Sequence, residues 1–297
     1  MTPAAAPTVT MGIDLAAQAR DTAVCLLAWP RAAPPELLIL GRGASAEGAA
    51  FDDEWLVDVA TGQRPGQEGE VTKVGIDDPF GWPVPFLDAL AAHRDGPVWP
   101  TTEEGSTAAF RYRETDRETQ ARNPSGRWPL SVSSDRIAVP AMRCAAILAE
   151  VARRGGERAV AREGSGLCCE VYPDPALRIW TKHSGAALGK ASYKRAENSD
   201  ARVALLAAIQ AELPIADPHR RLAMVEREDD YLDALLCALV ARAVELGLTH
   251  APTPAQERLA RIEGWIHLPT SALGELVRAP AAAPRRSARP ASRLRIL

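Results

Sequence analysis

Apolar residues in this chain fall into two kinds of stretch. Residues 9–15, 22–29 and 36–40 are short apolar runs joined by brief polar or proline-rich links at 17–21 and 30–35. Three such runs in succession predict an antiparallel meander. Residues 71–76 form a fourth run that ends in Asp77-Asp78-Pro79, and residues 167–172 a fifth that ends at Pro173. A proline at that point stops a strand and turns the chain into a loop. The longer stretches repeat with helical period at 51–60, 84–92, 137–154, 198–213 and 228–246, the last stopped by Gly247. A meander followed by β-α units predicts an α/β fold, a mixed sheet of three antiparallel strands and then parallel ones, with helices on both faces.

Residues 95–130 break this rhythm. They carry charges, glycine, proline and tryptophan with little apolar period, and predict an inserted loop of the kind that forms a lid or binding segment. The expected organisation is therefore a flexible stretch at 1–8, one domain over 9–268, and an Arg/Ala/Pro-rich disordered tail at 269–297.

Charge and cysteine usage narrow the picture. The net charge is −3, yet six arginines and no acid follow Glu275, so the rest of the chain carries −9. That balance excludes a broadly basic nucleic-acid binder and leaves room for an enzyme that acts on nucleic acid. The tail arginines suit phosphate contacts, although the chain prefers arginine to lysine throughout. Cys25, Cys144, Cys168, Cys169 and Cys237 make no C-x-x-C pair and lie in apolar surroundings, so buried free thiols in a reducing cytoplasm are expected. No apolar run reaches the length of a membrane span, and residues 1–10 do not read as a secretory signal.

The informative pattern is the placement of acids. Asp14 closes the first run, Asp77 the fourth, and Glu170 lies near the end of the fifth, while Asp230 and Asp233 share one face of the late helix. Sites in open α/β sheets form outside the carboxyl ends of strands, where such acids can meet. Converging carboxylates repel one another, and a hard divalent cation, Mg²⁺ or Mn²⁺, relieves that repulsion. Each acid also has a purely structural use. Asp14 can cap a turn, Asp77 can make an Asx-turn before Pro79, and Glu170 can pair with an arginine of the 111–113 segment. Asp229 and Asp230 suit the positive end of a helix dipole. Arg111, Tyr112 and Arg113 form an arginine-aromatic-arginine triplet able to bind phosphate and stack a base, or to ion-pair with Glu114 or Asp116. Lys194 suits substrate contact or simple solvation. The run 185–192 has glycines and a lysine but lacks the spacing of a phosphate-binding P-loop.

Taken in order, several segments resemble one family. They are Gly12-Ile13-Asp14-Leu15, Ile76-Asp77-Asp78-Pro79-Phe80-Gly81-Trp82-Pro83, Phe110-Arg111-Tyr112-Arg113-Glu114-Thr115-Asp116 and Glu170-Val171-Tyr172-Pro173, followed by Asp230-Tyr231-Leu232-Asp233-Ala234-Leu235 and Glu263-Gly264-Trp265-Ile266. Over roughly residues 9–268 the chain resembles the family catalogued as domain of unknown function 429, a predicted nuclease family of the RNase H-like superfamily. Asp230-x-x-Asp233-Ala-Leu also resembles the final-helix motif of Holliday-junction resolvases, from which the chain departs by its long insertion and acidic body. The resemblance implies that Asp14 and Asp77 act as the strand acids and that Asp230 and Asp233 act as the final-helix acids, all four as metal ligands. Glu170 belongs to the family's own pattern and completes the catalytic set.

The expectation is a metal-dependent nuclease in which two ions, about 4 Å apart, activate water and stabilise the leaving oxygen. Two other classes compete with it. An actin-like phosphotransferase would need a glycine-rich turn after the first strand, where the chain has Leu15-Ala16-Ala17-Gln18. A non-catalytic scaffold of the same fold would leave the five acids apart.

Overall fold

The computed structural model describes residues 7–46, 48–64, 69–100, 107–184 and 192–278. Within them runs a five-stranded mixed sheet in the order β3-β2-β1-β4-β5. The meander consists of β1 (Thr8–Asp14), β2 (Ala23–Trp29) and β3 (Glu36–Arg42), paired antiparallel. Helix α1 (Asp53–Ala60) leads to β4 (Glu70–Asp77), which pairs parallel with β1, and β5 (Cys168–Glu170) pairs parallel with β4. Between the last two strands lie α2 (Val84–Asp95), α3 (Ala108–Arg111), α4 (Glu114–Arg122) and α5 (Ala138–Gly155). After β5 come α6 (Pro173–Ser184), α7 (Ser199–Glu212), α8 (Asp229–Glu245) and α9 (Glu257–Glu263).

Alternation along the strands divides the core into two layers. Val9, Met11 and Ile13 of β1 and Val74 and Ile76 of β4 pack with Trp55, Leu56 and Val59 of α1 and with Ile147, Leu148 and Val151 of α5. The opposite face meets α6, α7 and α8. Helix α8 is buried continuously from Leu232 to Ala243, so it is apolar all round rather than striped.

Two glycines permit its depth. A Cβ on Gly12 would lie 2.1 Å from the Ala234 carbonyl oxygen and 2.3 Å from the Ala238 nitrogen. A Cβ on Gly75 would lie 2.3 Å from the Cys237 oxygen. Gly12 and Gly75 are register partners on β1 and β4. Together they make a shallow seat where helix backbone meets sheet backbone.

The structure departs from the sequence expectation in four places. The inserted segment is not simply loop, since it carries α3 and α4. The buried face of α4 is polar (Thr115, Asp116 and Thr119), so no apolar period announces it. Its start is fixed by Asp116, whose side chain accepts the Arg113 N–H at 2.9 Å. Pro173 not only ends β5 but opens α6, the helix position where a missing N–H costs least. Helix α9 is short and was hidden for that reason. Finally, packing continues beyond residue 268. Leu273 and Leu276 are buried, and the Arg242 guanidinium donates to the carbonyls of Leu276 and Arg278 at 3.1 and 2.8 Å. Residues 279–297, with the other tail arginines, lie outside the described residues, as do 185–191. All five cysteines are buried and unpaired. No helix among the described residues is long and apolar enough to cross a membrane.

Replacing Gly12 or Gly75 by alanine should overpack this seat and lower the free energy of unfolding by about 2–3 kcal/mol. Urea denaturation of each variant measures the change. An unaltered midpoint would mean that α8 can lift from the sheet at no cost.

Candidate metal centre

The site follows from strand register. Side chains alternate along β1 and β4, so Asp14 shares the face of Gly12 and Asp77 that of Gly75. Asp14 and Asp77 are register partners at the carboxyl ends of two adjacent parallel strands. Asp233 lies one residue before Ala234, where α8 touches Gly12, and is thereby held over the same spot. One carboxylate oxygen from each of Asp14, Asp77 and Asp233 lies within 4.8 Å of the others. Asp233 is buried at 1% exposure, while Asp14 and Asp77 line an adjoining cavity of about 480 Å³.

Two neighbouring residues hold Asp233. The Tyr193 hydroxyl donates to Oδ1 at 2.6 Å and the Lys194 ammonium to Oδ2 at 2.5 Å. Their backbone is clamped in turn by the fully buried Arg202 of α7, whose Nη1 donates to the carbonyls of Tyr193 and Arg195 at 2.9 and 2.7 Å.

Electrostatics mark the cluster as strained. Burial, then the charges of Asp233 and Asp77, hold the Asp14 carboxyl well above its ordinary range. Burial pushes Asp77 up to about 7, with Lys194 opposing the rise and Asp233 adding to it. Asp233 is raised by burial against the pull of Lys194. Burial lowers the Lys194 ammonium, but Asp233, Asp77 and Asp14 outweigh that and hold it well above normal.

The other acids named from the sequence do not join this trio. Asp230 is drawn toward the edge of the sheet by Arg42 at the end of β3, which ion-pairs with its Oδ2 at 2.8 Å and also holds Glu228 at 2.9 Å. Glu170 pairs in register with Ile76 and so faces the opposite side from Asp77. Its oxygens accept from Arg113 at 2.7 and 3.0 Å and from the Phe80 N–H at 3.0 Å. That ties up Arg113, buried at 2%, which also binds Asp116 at 2.8 Å. Arg111 lies over the Tyr112 ring and donates to Ser134 at 3.1 Å. Tyr112 packs on Trp128 with ring centroids 4.4 Å apart. Of the four residues expected to meet substrate, Lys194 is the one that reaches the carboxylates.

Other residues of the cavity wall have no site role in the sequence reading. Asp174, in the first turn of α6, is bound by Arg178 at 2.8 Å, and the sequence Pro173-Asp174 was its available signal as a helix start. Asp78 is buried with an Oδ1 that has no hydrogen-bond partner among the described residues, and burial pushes its carboxyl up to about 9. Trp128 and Arg136 also line the cavity, both exposed; the sequence places Trp128 only in the inserted lid or binding segment and does not single out Arg136.

Three oxygen donors this close, with no sulfur or imidazole among them, suit a hard divalent cation. Fold and site together define a mixed α/β protein with a three-carboxylate cluster at the ends of two parallel strands. The chain belongs to the family described as "Protein of unknown function (DUF429)", whose model matches residues 12–257. No curated protein and no solved structure matches it.

The raised carboxyls make a stability prediction. A carboxyl whose folded value lies above its unfolded one stabilises the fold when protonated, and that contribution is lost as pH rises through the folded value. In EDTA, Asp14→Asn should therefore melt higher than the unsubstituted protein by an amount on the order of 1 kcal/mol, with the gap widening from pH 6 to pH 8. Thermal melts across that range measure it. Equal melting at every pH would show that the cluster is not strained.

Proposed function

We propose that this protein is a metal-dependent phosphodiester hydrolase acting on nucleic acid, built on an RNase H-like fold. The observation that carries the reading is the convergence of Asp14, Asp77 and Asp233 from β1, β4 and α8 within 4.8 Å. The strand order β3-β2-β1-β4-β5, a meander followed by two parallel strands, is what an RNase H-like fold calls for and supports the assignment. Asp14 and Asp77 would hold Mg²⁺ or Mn²⁺ with Asp233 behind them. When bound, such an ion supplies Lewis-acid polarisation of a phosphate oxygen and neutralises developing charge.

The chain's own residues supply the rest. Lys194 reaches the carboxylates from the cavity wall, where its ammonium can meet a phosphate oxygen. Arg136 is exposed on the same wall and adds a second phosphate contact. Trp128, 45% exposed and backed by Tyr112, offers an aromatic surface on which a base can stack. A cavity of about 480 Å³ is sized for a nucleotide unit rather than a duplex, so a single strand or a strand end is the fitting substrate. The acidic body agrees, because it offers little to a long phosphate backbone.

The test is cleavage of labelled single-stranded and duplex DNA and RNA in Mg²⁺ or Mn²⁺. Asp14→Asn and Asp77→Asn should each reduce cleavage at least about 100-fold while the fold persists, and EDTA should abolish it. Full activity in Asp14→Asn, or in EDTA, would sink the proposal. In the same assay Trp128→Ala should weaken binding of a single strand by about ten-fold, the loss of one stacked base, without altering Mn²⁺ affinity. Unchanged strand binding would remove Trp128 from the substrate path.

A further inference from the structure

We infer that the Lys194 ammonium fills the second cation position of this carboxylate cluster, so that the protein takes one divalent ion and not two. The inference rests on the metal-dependent reading above and concerns how many ions that site accepts.

Charge is the first argument. Asp14, Asp77 and Asp233 bring three negative charges into one spot. Lys194 bonds Asp233 directly at 2.5 Å and returns one positive charge. The remainder matches a single divalent ion, whereas two ions would leave an excess of positive charge in a partly buried place. A fixed ammonium and a metal ion that share carboxylates compete for the same oxygens.

Ligand supply is the second argument, and it stands apart from charge. Both oxygens of Asp233 already accept a hydrogen bond, Oδ1 from Tyr193 and Oδ2 from Lys194. Three further acids near the cavity that a second ion would need are each committed to an arginine. Asp230 is held by Arg42 at 2.8 Å, Glu170 by Arg113 at 2.7 Å, and Asp174 by Arg178 at 2.8 Å. Asp78 lies on the cavity wall but is not among the three clustered acids. Two-ion sites hold their metals roughly 4 Å apart and need carboxylates that serve both. Lys194 engages Asp233 and leaves Asp14 and Asp77 of the trio to hold one ion that keeps several waters.

Access to substrate is compatible with this role. The Lys194 side chain is 38% exposed and lines the cavity, so its ammonium can serve both Asp233 and a phosphate oxygen. It thereby supplies the charge neutralisation that a second ion would give, without needing ligands of its own.

The experiment is Mn²⁺ binding to the full chain, by isothermal titration calorimetry for stoichiometry and electron paramagnetic resonance for coupling between ions. The unsubstituted protein should bind one Mn²⁺ with an uncoupled spectrum. Lys194→Met, which keeps the stem and removes the charge, should bind two and show a coupled pair, and Lys194→Arg should return to one. Two ions in the unsubstituted protein, or a single ion with unchanged affinity in Lys194→Met, would overturn the inference. No Mn²⁺ binding at all would instead overturn the metal-dependent reading beneath it. If Lys194→Met does not fold, as judged by its circular dichroism, the stoichiometry of the unsubstituted protein decides alone.

Discussion

Backbone contact between α8 and the sheet, across Gly12 and Gly75, is the constraint on which the rest of this molecule depends. A Cβ at either glycine would fall 2.1–2.3 Å from helix backbone atoms, so the helix would have to draw back. Because none is there, one helix can be buried from Leu232 to Ala243 and complete the core on that face. The same contact sets the height of Asp233 over the strand ends. Packing and site geometry are thus one fact: the seat that gives the sheet its closest neighbour also delivers the third carboxylate.

The electrostatic design is one of selective neutralisation. Arg42 takes Asp230, Arg113 takes Glu170 and Asp116, and Arg178 takes Asp174. Buried charges matched in this way are tolerated, and removal of one partner leaves the other costly. Asp14, Asp77 and Asp233 are matched less closely, three acids with one lysine between them, and the neighbouring Asp78 has an oxygen with no hydrogen-bond partner among the described residues. Their convergence within 4.8 Å, which Asp78 does not share, is the physical reason to regard these three, rather than the other acids nearby, as the working group.

Much of this was legible in the sequence, for identifiable reasons. Asp14 and Asp77 end apolar runs, and strand ends in an open sheet converge, so their meeting follows from pattern alone. Asp233 could be read because an acid within the apolar stretch of α8 has no solvent to face. Glu170 looked equivalent to Asp77 because it also ends a strand. Only register shows that it pairs with Ile76 and turns to the other face. Helix α4 escaped notice because its buried side is threonine and aspartate, held by hydrogen bonds such as that from the Ile266 N–H to Thr115 at 2.7 Å. Trp128 could be read only as part of a lid segment and Arg136 not at all, since their place beside the carboxylates is set by the path of the insertion and not by neighbours in the chain.

The two groups that hold Asp233 are consecutive residues, and Arg202 binds the carbonyls of Tyr193 and Arg195, on either side of Lys194. The placement of both groups over Asp233 is therefore set in part from α7, by a guanidinium whose hydrogen bonds here run to backbone carbonyls, so a change at Arg202 would reach the carboxylate through the backbone rather than by direct contact.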